Sequence, residues 1–201
     1  MKTFFRKYLR PAIVITILFT ILTGFIYPGI VTGLAQLIFP NQANGSLVTV
    51  NGKTVGSDLI GQYWTSPQYF HGRPSSAFDT NAAGTPVPYA ADNSGASNAG
   101  PTSAAYIQTV QQRVADLKKE NPDATGPVPD DLVTSSASGL DPDITIAGAL
   151  YQVARIAQAR GLSQDAVTKV IIDHEQGRFL WIFGEPYVNV LDLNLALDAL
   201  K

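Results

Sequence analysis

Between Ala12 and Phe39 the chain runs for 28 positions without one Asp, Glu, Lys or Arg. Such a run constrains the fold more than anything else in the 201 residues, because a globular core rarely buries so long an uncharged stretch whole. Sixteen of these residues, Ala12 to Tyr27, form a helix of roughly 24 Å at about 1.5 Å per residue, a little short of a ~30 Å hydrocarbon core. Pro28-Gly29 then threatens the helix, since proline lacks an N–H and crowds the preceding turn. The apolar residues resume at Ile30 and continue to Phe39, so a span that kinks at Pro28 and carries on is long enough to cross a bilayer.

Lys2, Arg6, Lys7 and Arg10 precede this run with no acidic residue among them. They resemble the basic region of a secretory signal, and Gly33-Leu-Ala35 is an acceptable cleavage site. The apolar stretch is about twice the usual 7–15 residues of a signal core, which favours an uncleaved anchor. Basic residues are retained on the cytoplasmic side, so residues 1–11 are expected inside, 12–39 in the membrane and 40–201 outside. That outer part holds ten basic and sixteen acidic residues, a net charge of −6. Thr16, Thr20 and Gly24 recur at every fourth position, and Gly29 and Gly33 repeat the spacing. Small residues on one face let a second helix approach closely, although threonine hydroxyls also bond their own helix backbone.

The remainder reads as one mixed α+β domain with no internal repeat. Asn51-Gly52 between Leu47–Val50 and Lys53–Val55 is a hairpin signal, because both residues tolerate positive φ. Tyr63-Trp-Thr65 and Tyr69-Phe70 suit short strands or packed loop residues. From 71 to 102 no regular element is legible, and Pro74, Pro86, Pro88 and Pro101 lie within the stretch. From Ser103 a helix is expected, with Tyr106, Val110, Val114 and Leu117 inward and Arg113 among the wet positions; Asn121-Pro122 ends it. Leu132-Val-Thr134 suits a short strand. Thr145 caps a helix carrying Ile146, Leu150, Val153, Ile156 and Ala157, closed by Gly161. Ser163 caps another through Ile171, and Val188-Asn-Val190 reads as a strand before a C-terminal helix.

The usual catalytic arrangements are missing. Gly95 to Gly100 has the spacing of a phosphate loop, but Pro101 stands where lysine is required. There is no Gly-x-Ser-x-Gly elbow, no His-Glu-x-x-His and no aspartyl-phosphate motif of the Asp-Lys-Thr-Gly-Thr kind. With no cysteine, thiolate metal sites, iron–sulfur clusters and disulfides are excluded, and two histidines make a histidine metal centre improbable. A pI of about 5.6 leaves no footprint for nucleic acid. Asp141 and Asp143 could hold a hard cation, but Asp-Pro-Asp more often supplies turn hydrogen bonds. His71 and Arg73 in a glycine turn suit either an interface carboxylate or packed loop polarity. His174 closes a helix, where its charge favours the dipole.

Eight strings in order are more specific: Tyr27-Pro-Gly29, Gln42-Ala-Asn-Gly-Ser-Leu47, Leu59-Ile-Gly-Gln62, Tyr69-Phe-His-Gly-Arg-Pro-Ser75, Ser94-Gly-Ala-Ser-Asn98, Leu132-Val-Thr134, Ser136-Ala-Ser-Gly-Leu-Asp141 and Val188-Asn-Val-Leu-Asp-Leu-Asn-Leu-Ala-Leu-Asp198. Together they resemble the KdpC family, C subunits of the bacterial high-affinity potassium-transporting Kdp ATPase. Ala154 departs from the pattern, where proline is expected. The resemblance implies an inner-membrane complex with a channel-like potassium-conducting subunit, a P-type ATPase subunit and a small single-span subunit. It implies a non-catalytic role, raising the pump's affinity for ATP through a transient ternary complex, with no tightly bound cofactor. Gln152, Leu162 and Ser163 are the nucleotide-contact candidates it suggests, although Leu162 to Ala166 lacks the glycines of a phosphate cradle. An outside domain reaches cytoplasmic ATP only by biasing the pump's conformation, and a structural or gating role at the potassium entrance is the alternative.

Overall fold

A computed structural model of the chain describes residues 4–80 and 84–200 and divides it into two compact units, Met1–Leu47 and Val48–Lys201. Lys2 lies outside the described residues.

The first unit is one long helix, α1, over Phe5–Ile38. It begins earlier than the apolar run, because Phe5 to Arg10 contain nothing that breaks a helix. Helical backbone also continues through Pro28, and the reason is local. A π turn occupies Leu22–Ile26, where the Tyr27 N–H reaches the Leu22 carbonyl, and Pro28 follows at once. A second π turn, Phe5–Leu9, stands in the same relation to Pro11. Widening the helix one turn ahead of each ring is a common accommodation of a missing donor. It also affects the small residues. In an unbroken α-helix, Gly29 lies about 140° around from Gly24, and the π turn takes up part of that rotation. Phe39 leaves helical geometry at φ −132° before the short helical turn Pro40–Ala43. There Gln36 and Asn44 exchange side-chain amide bonds at 3.2 and 3.1 Å.

The second unit carries three two-stranded sheets. β1 (Leu47–Val50) and β2 (Lys53–Ser57) form the hairpin that Asn51-Gly52 predicts, with φ of 51° and 77° at the turn. β3 (Phe78–Thr80) pairs antiparallel with β4 (Pro86–Pro88), a hairpin inside the stretch that shows no regular pattern in the sequence. Both flanks of β4 are prolines, which donate nothing to a ladder and hide a strand from pattern reading. α2 (Ala104–Glu120) starts at its Ser103 cap and ends at Asn121, as read. Arg113 is the exception: it is half-buried, with Nη1 donating to the Val133 carbonyl at 3.0 Å. Leu132 belongs to a 3-10 turn, Asp130–Leu132, rather than to a strand, because the Val133 and Thr134 N–H groups turn back to the Asp130 carbonyl.

The centre repeats one device. β5 (Asp143–Thr145) and β6 (Tyr187–Asn189) pair antiparallel with Ile144 opposite Val188, and each strand feeds a helix capped by its own last residue. Thr145 Oγ1 accepts from the Gly148 N–H at 2.9 Å and starts α3 (Ile146–Tyr151). Asn189 Oδ1 accepts from the Leu191 and Asp192 N–H groups and starts α6 (Val190–Ala199). The expected helix from 146 to 160 is divided at Gln152 into α3 and α4 (Val153–Arg160), so Leu150 turns outward, 44% exposed. Gly161 closes α4 at φ 67°, and Ser163 caps α5 (Gln164–Asp173). Phe70, Ile144, Ile156, Val167, Ile171, Val188, Leu193 and Leu197 are buried together as the core.

Candidate functional site

The segment Tyr69 to Ser75 crosses the core without joining a sheet, so its backbone needs partners from side chains. Two amides supply them. Asn194 Oδ1 accepts from the Phe70 N–H at 2.8 Å while its Nδ2 donates to the Phe70 carbonyl at 3.0 Å. Gln152 does the same for the next residue, accepting from the His71 N–H at 2.8 Å and donating to the His71 carbonyl at 3.0 Å. Both amides are fully buried.

Gln152 also explains the helix break. Its backbone N–H bonds to the Ala149 carbonyl, three residues back, and its side-chain Nε2 covers the Gly148 carbonyl at 3.2 Å. The side chain thus replaces the bond that the backbone gives up. A proline at 154 is not required, which accounts for Ala154 being tolerated.

Arg155 extends the network. Its Nη2 donates to Gln152 Oε1 at 2.7 Å, Nε to Asn121 Oδ1 at 3.0 Å, and Nη1 to the Pro67 and Tyr69 carbonyls. Glu120 lies 3.7 Å from Arg155 Nε and 2.8 Å from His71 Nδ1. The opposite ring nitrogen of His71 faces the Ser66 carbonyl at 3.0 Å. The His71 hydrogen bond, ahead of the Arg155 charge, holds the Glu120 carboxyl below its ordinary value against the opposing effect of burial. Burial lowers the Arg155 guanidinium, offset by Glu120.

Two residues on, Arg73 Nη1 bonds Asp141 at 2.8 Å, and the Tyr89 hydroxyl donates to the Arg73 carbonyl. Burial, followed by the Asp141 charge, pushes the Tyr89 hydroxyl up to about 12. Asp141 Oδ1 accepts from the Asp143 N–H, the turn bond expected of Asp-Pro-Asp. Among the described residues no cluster suited to a metal ion is found. Ser75 Oγ bonds the Gly139 carbonyl at 2.7 Å, and Gly139 itself sits at φ 68°, where a Cβ would stand 2.6 Å from the Ala77 nitrogen.

This clamped segment forms one wall of a cleft of about 460 Å³. His71, Arg73, Tyr89, Trp64, Arg113 and Glu120 are among the residues that line it. Trp64 Nε1 is buried and has no hydrogen-bond partner.

The sequence candidates are therefore distributed unevenly. His71 and Arg73 are brought together, and their carboxylate partners lie in the same chain, Glu120 and Asp141. Gln152 is below the surface, with its amide committed to His71, Gly148 and Arg155. Leu162 packs against the core, and Ser163 spends its hydroxyl on the Ala166 N–H at 3.1 Å. In α1, Thr20 Oγ1 bonds the Thr16 carbonyl, while Gly24, Gly29 and Gly33 are exposed with open space where a Cβ would stand. Asn194, Arg155, Glu120 and Arg113 were not singled out by sequence reasoning. The available signal was a polar residue within an apolar helical run, as Asn194 is between Leu193 and Leu195.

Comparison with known proteins decides the family. The model of the family described as K+-transporting ATPase, c chain, KdpC, matches residues 9–199. The chain belongs to the KdpC family. It is 52% identical over 199 residues to the potassium-transporting ATPase KdpC subunit of Rhodopseudomonas palustris strain BisB18, covering 97% of this chain and 99% of that one. The KdpC subunit of Methylobacterium nodulans is 53% identical over 198 residues, covering 96% and 98%. That of Sorangium cellulosum is 51% identical over 194 residues, again 96% and 98%. The similarity to KdpC subunits therefore takes in the apolar helix as well as the domain.

Proposed function

We propose that the chain is the non-catalytic C subunit of an ATP-driven potassium-uptake complex and raises the ATP affinity of the ATP-hydrolysing subunit. The observation that carries this reading is the full-length relationship to potassium-transporting ATPase KdpC subunits. α1 anchors the chain in the inner membrane, N-terminus inside, with the domain outside; four basic residues before the apolar run support that direction. The partners are a channel-like potassium-conducting subunit, the P-type ATPase subunit and a small single-span subunit. The face of Thr16, Thr20, Gly24, Gly29 and Gly33 receives one of their helices.

The committed amide of Gln152 bears on how ATP affinity is raised. Direct nucleotide contact through Gln152 requires it to leave bonds to His71, Gly148 and Arg155. Coupling through the pump's conformational equilibrium requires no such opening: the domain binds the high-affinity conformation better and shifts the population toward it. The domain's net charge of −6 favours a second role, attracting potassium at the outer entrance, over a range limited by the ~8 Å screening length.

The test is potassium-stimulated ATP hydrolysis by complexes assembled with the full chain or with a chain ending after residue 47. Loss of the domain is expected to raise the apparent KM for ATP on the order of tenfold. An unchanged KM contradicts the affinity role and leaves the entrance role.

A further inference from the structure

The loop between α5 and β6 ends in five consecutive apolar residues, Phe179, Leu180, Trp181, Ile182 and Phe183, each at least 60% exposed and Trp181 91% exposed. We infer that this tip inserts into the bilayer interface and gives the domain a second contact with the membrane.

The tip is built, not frayed. Gln176 and Tyr187 exchange both backbone bonds at its base, at 2.8 and 3.0 Å, and Arg178 pairs with Glu185. Leu180 and Trp181 hold positive φ, 52° and 61°, a conformation that side-chain-bearing residues rarely adopt. That much contiguous apolar exposure is unfavourable in water, which points to another phase that receives these side chains.

Two features select lipid as that phase. First, four of the five N–H groups in the tip, those of Phe179, Trp181, Ile182 and Phe183, bond carbonyls within it, to Phe183, Arg178 and Phe179, leaving that of Leu180 to the headgroup layer. A loop entering an apolar medium must satisfy its donors internally, whereas a loop that meets water need not. Second, the composition is that of an interfacial anchor: tryptophan and phenylalanine at the end, arginine at the base and no carboxylate among the five.

Reach supplies the occupant. Ile38 ends α1 and the domain begins at Val48, so the connection spans at most about 35 Å even if fully extended. A domain of this size has a radius of gyration near 15 Å. A bilayer tethered so closely is always available, and insertion is an intramolecular event with little further cost in translational freedom.

The inference rests on α1 spanning the membrane, and one experiment separates the two. The full chain is reconstituted into vesicles of phosphatidylethanolamine and phosphatidylglycerol whose acyl chains are brominated near the headgroup. Tryptophan emission is compared with that of Trp181→Ala, in which only Trp64 remains. The fold does not depend on a residue so exposed. Brominated lipid is expected to quench most of the Trp181 component, and the variant to lose that quenching. Equal quenching of the two proteins, with Trp181 fully open to acrylamide, overturns the inference while the anchor stands. Protection of Trp181 that develops only when partner subunits are added, without bromine quenching, overturns lipid in favour of a protein interface. A chain that fails to sediment with the vesicles overturns the anchor and the inference together.

Discussion

Gln152 holds His71 by both backbone groups, accepting from its N–H at 2.8 Å and donating to its carbonyl at 3.0 Å, from within the core. An isolated loop residue thereby acquires the two bonds that a neighbouring strand would otherwise give it. Replacing Gln152 by leucine keeps much of the volume and strands both groups, along with Arg155 Nη2. The expected cost is about 2–4 kcal/mol, which lowers the unfolding midpoint of the detergent-solubilised chain by roughly 5–10 °C. A midpoint within a degree or two of the parent contradicts the clamp.

Arg155 binds more partners than any other side chain in the network. Arg155→Met removes the charge but keeps an apolar stem, leaving Asn121 Oδ1 and the Pro67 and Tyr69 carbonyls without the guanidinium beside Glu120. We expect a loss of about 3–5 kcal/mol, visible as a fall in the denaturant midpoint at constant slope. The double variant with Glu120→Gln should lose less than the sum, since each partner's remaining charge is the source of part of the cost.

Acid titration should show two opposed effects. The fold holds the Glu120 carboxyl below its ordinary value of 4.5, so its contribution is fully present above that value and fades as pH falls through the lower folded value. Glu120→Gln should therefore be destabilising at pH 7 and converge on the parent in strong acid. Burial, with Asp141 nearby, raises Asp143 from 3.8 to about 6. A raised carboxyl favours the fold below its unfolded value and loses that advantage as pH rises through 6. Asp143→Asn should then raise the midpoint at pH 7.5 by a few degrees and leave it unchanged near pH 4. Midpoints measured across pH 3 to 8 check both.

Gly139 links the loops around the cleft. It sits at φ 68°, and an added Cβ would meet the Ala77 nitrogen and the Gly95 carbonyl, each at 2.6 Å. Both contacts are backbone, which yields less cheaply than the end of a flexible side chain. Gly139→Ala is expected to cost more than about 2 kcal/mol and to open the 78–100 region to limited proteolysis, while Gly100→Ala, with open space at its Cβ, serves as the control.

How much of this was legible depended on how local the cause was. The Asn51-Gly52 hairpin and the Ser103, Thr145 and Ser163 caps each depend on two to four adjacent residues, and all four were read correctly. The β3–β4 hairpin was missed because Pro86 and Pro88 mask it. The division at Gln152 was missed because the side chain that permits it bonds to His71, 81 positions away. The site followed the same rule. His71 and Arg73 stood out through their local string, whereas Glu120, Asn121, Arg155 and Asn194 acquire meaning only once distant segments meet. The apolar tip at 179–183 carried a local signal, five apolar residues between Arg178 and Gly184, that needed only to be weighed as exposed rather than buried.

Direction across the membrane underlies the whole functional reading, and the absence of cysteine makes it directly measurable. Lys118 lies on the exposed face of α2, so Lys118→Cys gives a single thiol on the domain. In intact cells or spheroplasts, a membrane-impermeant maleimide should label that thiol fully, while a thiol placed at Lys7 should react only after permeabilisation. The reverse pattern, with residue 118 protected until the membrane is broken, would place the domain beside cytoplasmic ATP and contradict the account.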